Sequence, residues 1–256
     1  MKNNCIILTH QFILPEKINS RKYGFHTSHG EKWKIKVFDF CVSHFKKNNP
    51  DAMIIITGHG IQPPQEILNK ADRVYWSPEI IDGEIGAGHP FLVSEGLKIA
   101  KEEGMTHVCK TRLDTVNLIE DICSFCHNFI IEDEKEVLNT FYSKTHYLLM
   151  DLFNYGKIET LQKMYDPENW RVWWSPSGTA SLAKKYINNV LGKEVTFPFN
   201  RKVWEKMVNQ KIKFVNTETI KWINLRKHNQ LIGNKEKEEL IMNNDFLNLK
   251  EFVWRH

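Results

Sequence analysis

The 256-residue sequence has no long apolar run. A membrane-spanning helix needs roughly 20 consecutive apolar residues, and no stretch approaches that length, so we expect no such helix. The apolar stretch within the first ten residues is too short for a secretory signal peptide. Five cysteines, an odd number, favour free thiols in a reducing compartment over a disulfide framework. These features predict a cytoplasmic protein.

The sequence also lacks a strong excess of either charge. Lys and Arg number 35 against 31 Asp and Glu, so a polybasic nucleic-acid binder is not the first interpretation. Residues 201–256 carry 12 basic and 7 acidic side chains, whereas the first 200 carry 23 and 24. We therefore predict a body over 1–216 and a basic extension over 217–256, packed on or beside it. The extension either makes a peripheral contact with the inner face of a membrane or forms a solvated charged surface.

Several common motifs are absent. Neither G-x-x-x-x-G-K-[ST] nor H-E-x-x-H occurs, which leaves P-loop NTPases and zincin metalloproteases without support. Cys123–His127 matches the C-x-x-C-H of haem attachment. Its apolar neighbours, such as Phe125, indicate the packed face of a helix instead. No internal repeat or low-complexity linker is present, so one continuous domain is favoured over two.

Short apolar runs alternate with amphipathic segments through the first 115 residues. This pattern predicts strands over 5–14, 52–57, 73–76 and 106–111, with helices over 31–47, 63–70 and 91–103. Such alternation implies parallel strands joined by right-handed crossovers. We therefore predict a Rossmann-related α/β/α sandwich with a mainly parallel central sheet. The second half is less regular, with helices predicted over 117–129, 158–165, 176–190 and 203–208, and strands over 212–215 and 219–223.

Ligands of such sheets bind beyond the carboxyl ends of the strands, which makes the loops there site candidates. The strongest is Lys110-Thr111-Arg112-Leu113-Asp114, where two cations and a carboxylate stand at a strand exit. Asp114 is either a functional carboxylate or the cap of a helix beginning near Asn117.

Two segments resemble the WavE-type lipopolysaccharide-synthesis glycosyltransferases. The first joins Gly96-Leu97-x-x-Ala100 to Val108-x-Lys110-Thr111-Arg112-x-Asp114, similar to the family's GL-x-x-A helix and its strand ending in K-[IT]-R-x-D. The second, Asp151-x-x-x-x-Gly156, is similar to the family's D-x-x-x-x-G segment. The resemblance spans roughly residues 5–195.

The resemblance implies a GT-A-like fold and transfer of a sugar from a nucleotide donor to a glycan or lipid-linked acceptor. Arg112-Leu113-Asp114 stands where most such enzymes have Asp-x-Asp. Asp114 is then the candidate ligand for Mn²⁺ or Mg²⁺. Because Arg112 replaces the usual first acid, it can pair with phosphate directly, and dependence on the metal is open. The other candidate donor-binding residues are Thr9, His10, Gln11, Gly58, His89 and Lys110, for which ordinary loop polarity or a structural role is the alternative.

The acceptor side of the predicted site lies later in the chain. Asp151 interrupts an apolar run, where an unpaired carboxylate is costly, and we predict it to be the base that takes the acceptor proton in an inverting transfer. Glu159 and Asp166 are the alternatives. Trp173 and Trp174 are either a stacking platform for acceptor sugars or part of the core. Two other functions stay open: a nucleotidyltransferase on the same sheet, and a catalytically inactive glycan-binding protein.

Overall fold

A computed structural model describes residues 4–12, 31–78, 88–140, 142–143, 148–150, 152–168, 178–194 and 201–224. Its helices are α1 (Glu31–Asn48), α2 (Gln65–Leu68), α3 (Gly88–Glu102), α4 (Ile122–Glu132), α5 (Ile158–Met164), α6 (Gly178–Lys185) and α7 (Arg201–Val208), and a π-helical turn (Tyr186–Val190) follows α6. The strands are β1 (Asn4–Phe12), β2 (Ala52–Gly60), β3 (Arg73–Ser77), β4 (His107–Arg112), β5 (Thr115–Asn117), β6 (Val137–Asn139), β7 (Tyr142–Ser143), β8 (Leu148–Leu149), β9 (Asn154–Lys157), β10 (Ile212–Phe214) and β11 (Trp222–Asn224).

Seven strands form the central sheet, in the order β10-β6-β9-β4-β1-β2-β3. β1 pairs in parallel with both β2 and β4, and β2 pairs in parallel with β3. β10 is parallel to β6, whereas β9 runs antiparallel to its neighbours β4 and β6. The prediction of a mainly parallel central sheet is therefore confirmed.

Helices cover both faces of this sheet, because successive side chains of its strands point to opposite sides. Ile6 and Leu8 of β1 belong to the apolar core shared with α1 and α4. Ile7, between them, belongs to a second core shared with α3, α5 and α6. We call these the α1 face and the α3 face. The two cores confirm the predicted α/β/α sandwich.

The glycine of the Gly96-Leu97-x-x-Ala100 segment has a packing role. A Cβ atom at Gly96 would lie 2.7 Å from Cγ2 of Ile7 and 3.2 Å from Cγ2 of Thr57. Leu97 and Ala100 of the same helix are fully buried. The motif therefore allows α3 to pack closely on the centre of the sheet.

The predicted helix over 117–129 is wrong at its start. Residues 115–117 form β5, which pairs antiparallel with β11 in a separate two-stranded sheet. The helix α4 begins at Ile122, and the side chain of Asp121 caps it by accepting a hydrogen bond from the Ser124 amide at 3.2 Å. Asp114 is therefore not the cap of this helix.

The first residues of the predicted extension lie against the body. β11 pairs with β5, and Ile220 and Ile223 are fully buried in the α1-face core. The rest of the extension, 225–256, lies outside the described residues. Among the helices that the structure does describe, none has the length and apolar character needed to cross a membrane.

Candidate active site

The carboxyl ends of the three central strands bring polar side chains to the α3 face. Thr9 of β1 is paired with Thr57 of β2 on one side and with Arg112 of β4 on the other. Residues paired across neighbouring strands share a face of the sheet, so these three side chains lie in one row. Both threonines are fully buried. The Thr9 hydroxyl donates to the Thr111 carbonyl oxygen at 3.2 Å.

Lys110 lies on the same face of β4, two residues before Arg112. Its side chain is fully buried, which is rare for lysine. Its ammonium donates a hydrogen bond to Nε2 of His89, at the start of α3, with Nζ and Nε2 2.8 Å apart. The same Nζ lies 5.3 Å from the centre of the Tyr165 ring, within cation–π range. An ammonium has donors only, so a charged Lys110 requires the His89 tautomer whose Nε2 carries no proton.

Arg112 and Asp114 form a two-pronged ion pair at the exit of β4. The guanidinium donates from Nε to one carboxylate oxygen of Asp114 at 3.0 Å and from Nη2 to the other at 3.1 Å. The two side chains are 14% and 8% exposed. This geometry holds the guanidinium in a fixed orientation, with Nη1 available for a further acceptor.

The ion pair between Arg112 and Asp114 involves the residue that the sequence predicts to be the metal ligand. Both oxygens of Asp114 already accept hydrogen bonds from Arg112. In the part of the chain that the structure describes, no group of three His, Cys, Asp or Glu side chains is arranged to hold a metal ion. The structure thus shows Asp114 orienting Arg112. Its assignment as the metal ligand stays a prediction.

His10 and Gly58 lie on the opposite, α1 face. The His10 ring packs against Phe38 of α1, with ring centroids 4.5 Å apart. A Cβ atom at Gly58 would lie 2.1 Å from the Trp76 ring, so the glycine there is required for the packing of that tryptophan. The structure therefore separates these two residues from the row that contains Thr9.

Several predicted site residues are outside the described ranges. Asp151, Trp173 and Trp174 lie there, and the backbone of Gln11 is described whereas its side chain is not. Their assignments stay predictions. The two alternatives to Asp151 are described: Glu159 lies in the first turn of α5, and Asp166 accepts a hydrogen bond from Lys185 at 2.6 Å. Asp166 is thus part of an ion pair that joins the end of α5 to α6.

Sequence reasoning missed two asparagines that continue the polar row. Asn154 of β9 is paired with Lys110, and Asn139 of β6 is paired with Asn154. Both are fully buried. Asn154 falls inside the quoted Asp151-x-x-x-x-Gly156 segment, so its position in that segment could have marked it as a candidate site residue. No feature of the sequence marked Asn139 as a site residue, because an asparagine in a three-residue strand resembles a loop residue.

Neither a protein-family model nor a curated protein sequence matches the chain. Solved structures of similar fold include a glycosyltransferase involved in the glycosylation of the major capsid of PBCV-1, which is 11% identical with a TM-score of 0.45 over 94% of this chain and 98% of that one. A cytidylyltransferase from Leptospira borgpetersenii is 11% identical with a TM-score of 0.46 over 100% and 99%. A 4-diphosphocytidyl-2C-methyl-D-erythritol synthase from Anaerococcus prevotii is 14% identical with a TM-score of 0.43 over 96% of each.

The resemblance to the WavE-type family stays a prediction from the two quoted segments.

Proposed function

We propose that the protein is a glycosyltransferase with a GT-A-like fold that moves a sugar from a nucleotide-sugar donor to a hydroxyl of a glycan or lipid-linked acceptor, with inversion. The observation that carries this proposal is the pair of cations on one face of β4. Lys110 and Arg112 lie at the carboxyl end of a central parallel strand, where ligands of α/β sheets bind. Asp114 pairs with Arg112 there, whereas the hydrogen-bond partner of Lys110 is His89.

The positive charges of Lys110 and Arg112 in this row of side chains suit the binding of a diphosphate group. When the bond between the sugar and the diphosphate breaks, negative charge develops on the leaving oxygen, and fixed cations stabilise it. Arg112 is held by Asp114, so its guanidinium needs little reorganisation to receive that charge. Lys110 is already out of water, where a charge interacts more strongly. The Thr9 hydroxyl adds a short polar group in the strand next to Arg112, and Thr57 continues the row on the far side of Thr9.

The proposed reaction is one displacement. The acceptor oxygen forms a bond to the anomeric carbon, and the bond from that carbon to the diphosphate oxygen breaks with its electron pair going to the diphosphate. Asp151 takes the proton of the acceptor hydroxyl, and Trp173 and Trp174 stack on the acceptor sugars. These three roles come from the sequence. No step uses a metal, because Asp114 is engaged by Arg112, and a contribution of Mn²⁺ or Mg²⁺ stays a prediction.

Calorimetric titration of UDP, GDP and CMP, each with and without Mn²⁺, tests the proposal. We expect one of these nucleotides to bind, and we expect Arg112→Ala to weaken its binding by tenfold or more. The matched control is Arg73→Ala, which removes an arginine of the edge strand β3 that pairs with Glu103 on the surface. Absence of binding for all three nucleotides would overturn the transferase proposal.

A second measurement separates the two transferase reactions. Sugar transfer releases a nucleoside diphosphate or monophosphate from a nucleotide sugar, whereas nucleotidyl transfer releases pyrophosphate from a nucleoside triphosphate. We expect the first product. Pyrophosphate release from CTP or UTP, with nucleotide sugars left intact, would instead establish a nucleotidyltransferase.

A further inference from the structure

The ammonium of Lys110 is held between two rings from different parts of the chain. Its Nζ lies 2.8 Å from Nε2 of His89, the second residue of α3. It also lies 5.3 Å from the centre of the ring of Tyr165, which follows the last residue of α5. The two rings contact each other, with centroids 6.3 Å apart and planes at 72°. His89 and Tyr165 therefore fix the position of a buried charge at the carboxyl end of β4.

Both of these partners leave the charge of Lys110 intact. A neutral imidazole accepts the hydrogen bond through a lone pair, and the face of an aromatic ring attracts a cation without neutralising it. Arg112 is held differently, because its guanidinium is paired with the carboxylate of Asp114. His89 and Tyr165 thus orient a cation whose positive charge can still act on an anionic ligand.

The hydrogen bond to His89 also brings this charge to the amino end of a helix. His89 lies in the first turn of α3, which is 15 residues long. The amino end of a helix carries partial positive charge and stabilises anions. An anion at the carboxyl end of β4 therefore interacts favourably with both the ammonium and α3. Tyr165 is fixed in turn, because its hydroxyl accepts a hydrogen bond from Nδ2 of Asn154 at 2.8 Å.

We propose that His89 and Tyr165 are positioning residues that direct the ammonium of Lys110 to the phosphate groups of the nucleotide donor. The inference rests on the proposed function, because it takes a nucleotide as the ligand of this site. It changes the role of His89, which the sequence places among the residues that contact the donor. His89 acts through Lys110, so its removal weakens nucleotide binding only where Lys110 is present.

A double-mutant cycle on the full chain tests this dependence. Calorimetry measures the Kd of whichever of UDP, GDP and CMP binds, for the wild type, His89→Ala, Lys110→Met and the double variant. We expect His89→Ala to raise the Kd about fivefold, as for the loss of one hydrogen bond, and to have no further effect in Lys110→Met. His89→Gln, whose amide oxygen can accept from Lys110, should recover most of the lost affinity. An equal effect of His89→Ala in both backgrounds would overturn the inference.

Variants of two other rings separate positioning from a general effect on the fold. Tyr165→Leu removes the aromatic face and should raise the Kd about threefold, whereas Tyr165→Phe keeps that face and should have a smaller effect. The matched control is His127→Ala. His127 is also partly exposed, and its Nδ1 is hydrogen-bonded to the Tyr155 hydroxyl at 3.1 Å, but it lies on α4 at the other face of the sheet. We expect the control to bind nucleotide like the wild type. An equal loss of affinity in His127→Ala, or wild-type affinity in Tyr165→Leu, would contradict the inference.

The imidazole ¹⁵N NMR signals of His89 provide a readout that needs neither nucleotide nor alanine variants. We expect the wild-type ring to carry its proton on Nδ1, and Lys110→Met to shift the population towards the tautomer protonated on Nε2. A wild-type ring protonated on Nε2 would overturn the inference, because that tautomer cannot accept from Lys110. If the wild type binds no nucleotide, the proposed function fails and the inference fails with it. If a nucleotide binds and the effects at His89 and Lys110 are additive, the inference alone fails.

Discussion

Replacing Asp114 with asparagine distinguishes two roles for its carboxylate. If Asp114 orients Arg112, Asp114→Asn weakens metal-free nucleotide binding and destabilises the fold. If Asp114 is a metal ligand, the same change abolishes the effect of Mn²⁺ on binding and leaves metal-free binding intact. The 3.0 and 3.1 Å hydrogen bonds from Arg112 favour the first outcome.

The size of the stability effect follows from the burial of the pair. Two unit charges about 4 Å apart attract by about 4 kcal/mol at an effective dielectric constant of 20, and part of this is offset by desolvation. Removing one partner of a buried pair costs about 3–5 kcal/mol. Asparagine keeps one oxygen that can accept from Arg112, and the pair is slightly exposed. We therefore expect a loss of about 2 kcal/mol, which for a chain of this size lowers Tm by roughly 4–8 °C.

Urea denaturation and calorimetric titration of UDP, GDP and CMP are the assays. We expect the Kd of the nucleotide that binds to rise about tenfold without metal, which corresponds to about 1.4 kcal/mol. The ratio of affinities with and without Mn²⁺ should stay at its wild-type value. The control Glu95→Gln breaks the exposed Lys98–Glu95 pair on α3 and should change stability by less than about 1 kcal/mol.

Two results would refute this reasoning. Unchanged stability in Asp114→Asn would mean that the ion pair contributes nothing to the fold. Unchanged metal-free affinity, together with loss of the Mn²⁺ effect, would restore Asp114 as the metal ligand that the sequence predicts.

Three further predictions concern single side chains. Lys110→Met should raise the nucleotide Kd at least tenfold by calorimetry and lower the free energy of unfolding by about 1 kcal/mol in urea titrations, because it removes the hydrogen-bond partner of His89 Nε2. Burial lowers the pKa of His44 to about 4, against the opposing effect of its bond to the Asn117 carbonyl. The folded state thus disfavours protonation of this imidazole, so its contribution to stability is complete above about pH 6.5 and is lost as the pH falls towards 4; urea midpoints should show a smaller decline over that range in His44→Gln. Gly96→Ala places a Cβ atom 2.7 Å from Ile7 and should reduce the free energy of unfolding by about 1–3 kcal/mol in urea titrations.

Local patterns predicted the first half of the fold well. The apolar run over 52–57 is the core of β2, and the predicted helix over 91–103 corresponds to α3. Such elements have a periodicity that is visible within ten residues. The helix predicted over 117–129 failed at its start because β5 exists only through its pairing with β11, more than 100 residues later. No local pattern carries that information.

The candidate site shows the same limit. Lys110, Arg112 and Asp114 were found because they are adjacent in the sequence at a strand exit. The sequence did not show that Arg112 and Asp114 bind each other, nor that Thr9 rather than His10 shares a face with Arg112. Asn139 gave no signal at all, because its partner Asn154 is brought to it by the antiparallel strand β9, whose orientation departs from the βαβ pattern.

The central position of β1 has a consequence for synthesis of the chain. This strand can pair with β2 once about 60 residues have left the ribosome, but its other edge must wait for β4, which ends at Arg112. Until then, one edge of a strand whose residues 5–8 are all apolar offers unpaired backbone groups to any neighbouring chain. Slow translation between residues 60 and 112 would prolong that exposure, so the yield of native protein should depend more on elongation rate and chaperone supply in this interval than anywhere later in the chain.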